Sequence, residues 1–149
     1  MRTTLTAILL LTMPVCANAQ GRAEYVGGTA LTLASGVSGS IDLGDQRYFA
    51  FYTKKAQVRV GYEQINVLEY GQKVDRRLVM AVVISPVFLL SKSRKHFLTI
   101  GYTDEEGKHQ ALVFRVDKNR IRAVLVSLEA RTGLKILYQD EEARKAGRG

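Results

Sequence analysis

From residue 20 to residue 117, apolar and polar positions alternate in short segments separated by glycine-, serine- and charge-rich turns. Period-two alternation of this length predicts half-buried β-strands. In "SIDL", Ile41 and Leu43 share one face and Asp42 takes the other. "RYFAFYT" is an aromatic strand. "QVRVGY" points Val58, Val60 and Tyr62 inward, with Arg59 and Gly61 outward, and "EQINVLEYG" follows as a further strand. "EYVGGTALTLA" carries Gly27 and Gly28 between β-rich ends. With no helix behind them, these glycines predict a flexible or bulged strand rather than a phosphate loop. The clearest hairpin is "KHFLTIGYTDEEGKHQALVFRVD", with Asp104-Glu105-Glu106-Gly107 as a four-residue turn and Gly107 in its left-handed position. Pairing Thr103 with Lys108 sets Leu98 opposite Val113 and Ile100 opposite Ala111 on one face. On the other face Phe97 meets Phe114 and Thr99 meets Leu112. Both faces are then apolar, and both need cover.

The period changes after Asp117, a predicted N-cap. Ile121, Val124, Leu125 and Leu128 fall at i, i+3, i+4 and i+7, which is one apolar helical stripe. Arg131 suits the dipole of the last turn and Gly133 stops the helix. "LKILY" adds a short strand or extended arm, and "QDEEARKAGRG" (139–149) is a charged tail with at most a frayed helical turn. About seven strands followed by one amphipathic helix predict a mainly β domain over residues 20–138. The expected form is an antiparallel barrel, or two orthogonal sheets, closed by one C-terminal helix near 118–132. Strands that do not alternate with helices argue against a parallel α/β sheet.

Two apolar stretches fall outside this alternation. The first twenty residues combine Arg2, an apolar run over 5–15 and Ala17-Asn18-Ala19, the pattern of a signal peptide (1–19) cut before Gln20. The single cysteine, Cys16, lies in that leader, so the remainder has no disulfide and no thiolate chemistry. The second stretch, residues 78–90, is a thirteen-residue apolar run. As a helix it reaches about 20 Å, short of the roughly 30 Å hydrocarbon core of a bilayer. Ser85-Pro86 interrupts it and five β-branched residues favour extended structure, so it reads as two short extended pieces. Basic residues bracket it: Arg76 and Arg77 before, and Lys92, Arg94 and Lys95 after. With Val83 and Phe88 from the run itself, these form the candidate interaction surface. Burial of the run against the hairpin's outer face, insertion of its tip into a membrane surface, and docking on a partner or a second copy all fit this pattern.

Charge narrows the partners. The formal net charge is +8, which favours anionic surfaces. Export disfavours nucleic acid and leaves an anionic membrane surface or an envelope protein. Lys118, Arg120 and Arg122 crowd the first turns of the helix, where cations gain nothing from the dipole.

Catalytic signals are sparse. His96 and His109 sit at opposite ends of the predicted hairpin, too far apart to share a metal, and no zinc-protease, nucleophile-elbow or phosphate-loop motif occurs. Asp104, Glu105 and Glu106 make an acidic turn with too few ligands for calcium. Asp42 and Asp45 flank a turn. No cofactor, metal site or catalytic residue is expected.

The order "GYEQINVLEYGQK", "KHFLTIGYTDEEGKHQALVFRV" and an amphipathic helix resembles small bacterial domains of the pleckstrin-homology-like class, which includes the GRAM domains. Tyr62, Ile65 and Glu69 take the places of that pattern, and the resemblance spans residues 24–138. It implies two orthogonal antiparallel sheets plugged by a C-terminal helix, and a binding or scaffold role. The chain departs from lipid-binding members in two ways. The first hairpin loop, "ASGVSG", is uncharged, and the closing helix has no tryptophan, so no phosphoinositide site is carried over. The expectation is an exported, non-catalytic binding or scaffold module, periplasmic or extracellular and peripheral to a membrane through 78–90 and its basic rim. The alternative is a protein-interaction or self-associating module, a homo-oligomer through the same run. A small-ligand barrel or hydrolase ranks third.

Overall fold

The structure, a computed structural model, describes residues 20–73, 83–84 and 95–148. The leader and most of the 78–90 run lie outside the described residues, as do Arg76, Arg77, Phe88, Lys92 and Arg94.

The protein is mainly β. Its strands are β1 (Gly21–Gly28), β2 (Val37–Asp42), β3 (Tyr48–Tyr52), β4 (Gln57–Gly61), β5 (Ile65–Gly71), β6 (Val83–Ile84), β7 (His96–Thr103), β8 (His109–Val116) and β9 (Leu137–Tyr138). Two helices follow the hairpin, α1 (Ile121–Thr132) and α2 (Glu141–Arg148). The described strands join in one sheet of order β4-β3-β2-β1-β8-β7-β5-β9, with β6 paired to β1 off this path. The β5–β9 pair is parallel and the others are antiparallel. The sheet is continuous and not closed into a barrel. A single 3-10 turn (Tyr62–Gln64) makes a corner that links β4, at one end of this order, directly to β5, near the other end. The Gln64 side chain accepts the Gly61 N–H there and fixes the corner.

The inner face carries the core. Phe114 lies at its centre, with ring centroids of Tyr25, Phe49 and Phe51 at 5.8, 5.6 and 4.8 Å in tilted or edge-on geometry. Helix α1 covers this face with Ile121, Val124, Leu125 and Leu128, the four residues its period predicts. Each contributes about 1.5–3 kcal/mol relative to exposure. Gly133 ends α1 in the left-handed conformation, its N–H donating to the Glu129 carbonyl. Asp117 acts one turn earlier than expected. Its carboxylate accepts the Asn119 N–H and its carbonyl accepts those of Arg120 and Ile121, so it caps a lead-in turn and the regular helix begins at Ile121.

The β7–β8 register differs from the predicted one by a residue. Thr103 faces His109, Leu98 faces Phe114, and Ile100 faces Leu112. The Asp104 carboxylate accepts the N–H groups of Glu106 and Lys108, and the Asp104 N–H donates to the Lys108 carbonyl. Lys108 therefore belongs to the turn, and the strand starts one residue later. This register gathers Leu98, Ile100, Leu112 and Phe114 on the inner face. Phe97, Thr99 and Val113, with Val26 of β1, fall on the other face and are buried too.

At Gly27–Gly28 the expected irregularity is a bulge, where the β1–β8 register shifts after Tyr25. Gly28 has φ 152°, and a Cβ there would stand 2.3 Å from the Ala111 carbonyl oxygen. β6 pairs with the same two glycines, Val83 opposite Gly28, so the Val83 backbone is held by β1.

The charged tail folds back as a second helix. Asp140 caps α2 through the Ala143 N–H. Ala143 and Gly147 are buried, and Gln139 joins the sheet edge through the Tyr70 carbonyl and the Glu69 carboxylate.

Candidate functional site

A cleft of about 950 Å³ crosses the molecule where the start of β1, β2, the β3–β4 turn and the far end of the β7–β8 hairpin come together. Strand alternation builds its wall. Ala23 and Tyr25 point into the core, so Arg22 and Glu24 point out beside their cross-strand partners Ser40 and Ser38. Arg115, opposite Glu24 on β8, forms an ion pair with it. Lys54 enters from the β3–β4 turn, Lys95 from the residue before β7, and Lys118 from the turn before α1. The cleft thus holds five cationic side chains, Arg22, Lys54, Lys95, Arg115 and Lys118, against two carboxylates, Glu24 and Asp117. Glu24 is engaged with Arg115, and Asp117 with the backbone of the helix lead-in. The surplus is positive, and a neighbouring depression that shares Arg22, Ser40 and Asp117 extends it to Arg120.

His96 lines the cleft at its inner end. Its Nδ1 lies 2.5 Å from the Tyr70 hydroxyl, and the two rings stack with centroids 6.0 Å apart. Tyr70 is fully buried, and burial pushes its hydroxyl up to about 12, so it holds its proton. A buried O–H without an acceptor costs about 1–3 kcal/mol, and Nδ1 is the acceptor the described residues offer. The hydroxyl therefore donates to Nδ1, which leaves the imidazole proton on Nε2. Burial, and after it the Lys118 ammonium, hold the His96 pKa below its ordinary value, against a smaller opposing pull from Asp117.

Of the seven predicted surface residues, Lys95 lies in this cleft and Val83 in β6; the other five lie outside the described residues. Lys118 and Arg120, singled out at the helix start, belong to the cleft and its extension. Arg122 turns away and donates to the Ala146 carbonyl of α2. Arg22, Lys54, Arg115 and His96 were missed as a group, because four separate segments bring them together. The usable signal was the Arg22–Glu24 alternation on the polar face of β1. His109 is exposed at the opposite end of the hairpin from His96.

Among the described residues no three histidine, cysteine or carboxylate side chains gather as metal ligands, and no helix is long and apolar enough to cross a membrane. No protein-family model and no curated protein matches the chain.

Proposed function

We propose that this protein is an exported, non-catalytic binding module of pleckstrin-homology-like architecture that docks on an anionic membrane surface through its basic cleft. The observation that carries this reading is the cleft's charge. Arg22, Lys54, Lys95 and Lys118 converge from four segments, while both nearby carboxylates are already engaged. A cation held near an anionic leaflet contributes about 1 kcal/mol, so four converging side chains are enough for reversible peripheral binding.

The architecture is supported by strand order. β4 to β1 form one run and β8, β7 and β5 the next, the corner at Tyr62–Gln64 returns the chain from the first run to the second, and α1 covers their common face. That order suits one sheet bent into two near-orthogonal halves. Export rests on the leader pattern over 1–19. The basic rim of the 78–90 run ends at Lys95, which also lines the cleft, so the two surfaces are continuous in sequence.

Vesicle flotation tests the reading with protein beginning at Gln20, which retains every described element. Co-flotation with phosphatidylglycerol vesicles at low salt, lost on raising salt and absent with phosphatidylcholine, is expected. Absence of co-flotation at low salt contradicts membrane docking. A salt-insensitive dimer whose Val83→Asp variant is monomeric favours the self-association reading instead.

A further inference from the structure

His96 stands where the cleft meets the core, and its two ring nitrogens have different neighbours. Nδ1 takes the Tyr70 proton from the core side. Nε2 keeps its own proton and is the nitrogen left for a ligand. The charged groups around the ring come from several elements. Lys95 immediately precedes β7, Lys118 and Asp117 lie in the helix lead-in, and the Arg115–Glu24 pair closes the outer wall. Asp117 is engaged by the Asn119 N–H and Glu24 by Arg115. A neutral N–H donor and two ammonium groups lining one cleft make a recognition set for a tetrahedral oxyanion: the lysines supply charge, and the imidazole supplies a fixed direction. The uncharged β1–β2 loop, residues 29–36, takes no part in lining the cleft.

We infer that the inner end of the cleft is a discrete oxyanion site, in which the Nε2–H of His96 and the ammonium groups of Lys95 and Lys118 hold one phosphate-class group, with Tyr70 as the positioning residue that fixes the imidazole tautomer. This inference rests on the reading of the cleft as an anion-binding surface and names the group that enters it. Acidification places the second proton on Nδ1, which reverses the Tyr70–His96 hydrogen bond so that the hydroxyl accepts it, and the added cation beside the ligand strengthens binding.

The test is nitrogen NMR of the histidine side chains in protein beginning at Gln20. It is titrated with inorganic phosphate near neutral pH, and with inorganic sulfate, which stays dianionic, across a pH series. Phosphate should shift the His96 Nε2 resonance saturably and leave His109 unmoved, and sulfate should bind several-fold more tightly as His96 gains its proton. Tyr70→Phe keeps the buried ring but removes the donor, so it should populate the Nδ1–H tautomer and weaken phosphate binding several-fold. His96→Gln keeps a side-chain donor, and should retain binding while losing its pH dependence. A His96 resonance that does not respond at millimolar phosphate overturns the site, as does an unchanged tautomer in Tyr70→Phe. Flotation separates the two readings. Vesicle binding without a His96 response removes the site and leaves peripheral docking. A His96 response without vesicle binding keeps the site and removes the membrane.

Discussion

Phe114 contacts three aromatic rings from two other strands, β1 and β3, so its removal opens a void that no single neighbour can fill. Phe114→Ala should cost about 3–5 kcal/mol, read as a lowered denaturation midpoint at unchanged slope. His96 makes stability depend on pH in a defined direction. Its pKa is lowered on folding from 6.5. Above that value the neutral ring is at home in both states. As pH falls below it, the unfolded chain takes a proton that the folded one resists, so stability declines and then levels off below the folded pKa. His96→Gln should flatten this decline in urea midpoints taken across that interval, and an equally steep decline in the variant would rule out His96 as its source. At this scale the apolar assignments were readable. Ile41, Leu43, Val60 and Tyr62 are buried as alternation requires. Tyr70 as the orienting partner of His96 was not readable, because 26 residues separate them and only the β5–β7 pairing brings them together.

Elements were legible wherever a local period set them. The α1 stripe is buried residue for residue, and most strands fall where alternation placed them. The second β-rich end of "EYVGGTALTLA" is a turn instead: β1 stops at Gly28, Leu31 is exposed, and β2 begins at Val37 inside the expected "ASGVSG" loop. The hairpin register was not legible, because it turns on a side chain. By accepting the Glu106 and Lys108 N–H groups, Asp104 draws Lys108 into the turn and moves every cross-strand pair by one. The second helix was hidden for another reason. Only Ala143 and Gly147 of α2 are buried, and small residues leave a weak hydrophobic signal. Gly147 lets α2 approach the sheet: a Cβ there would lie 2.7 Å from the Tyr138 ring and 3.2 Å from Leu125. Gly147→Ala should therefore loosen α2 and cost about 1–3 kcal/mol despite the better helix propensity of alanine. Faster amide exchange at residues 141–148, with α1 unchanged, would show it.

Across the whole molecule, a mainly β sheet with a helix on its inner face was legible as a class, because strands and helix come in separate runs. The open, continuous sheet was not, since closure depends on whether the end strands β4 and β9 pair, which alternation along the chain does not say. The cleft was invisible for a related reason. Its successive cations are 20 to 41 residues apart along the chain, except for the near neighbours Arg115 and Lys118, so separate strands and turns supply them. Net charge pointed to an anionic partner, and the fold gathers five cationic side chains along one cleft.

The account rests on that place and not on overall charge, and a matched pair of variants separates the two. Lys95→Gln with Lys118→Gln neutralises two cleft residues, whereas Lys135→Gln with Lys145→Gln neutralises two exposed residues outside it. Partition onto phosphatidylglycerol vesicles at low salt is the measurement. The cleft pair should lose about 2 kcal/mol, roughly thirtyfold in affinity, while the outer pair stays near the parent value. Equal losses in both pairs would contradict the account, because binding would then follow net charge alone.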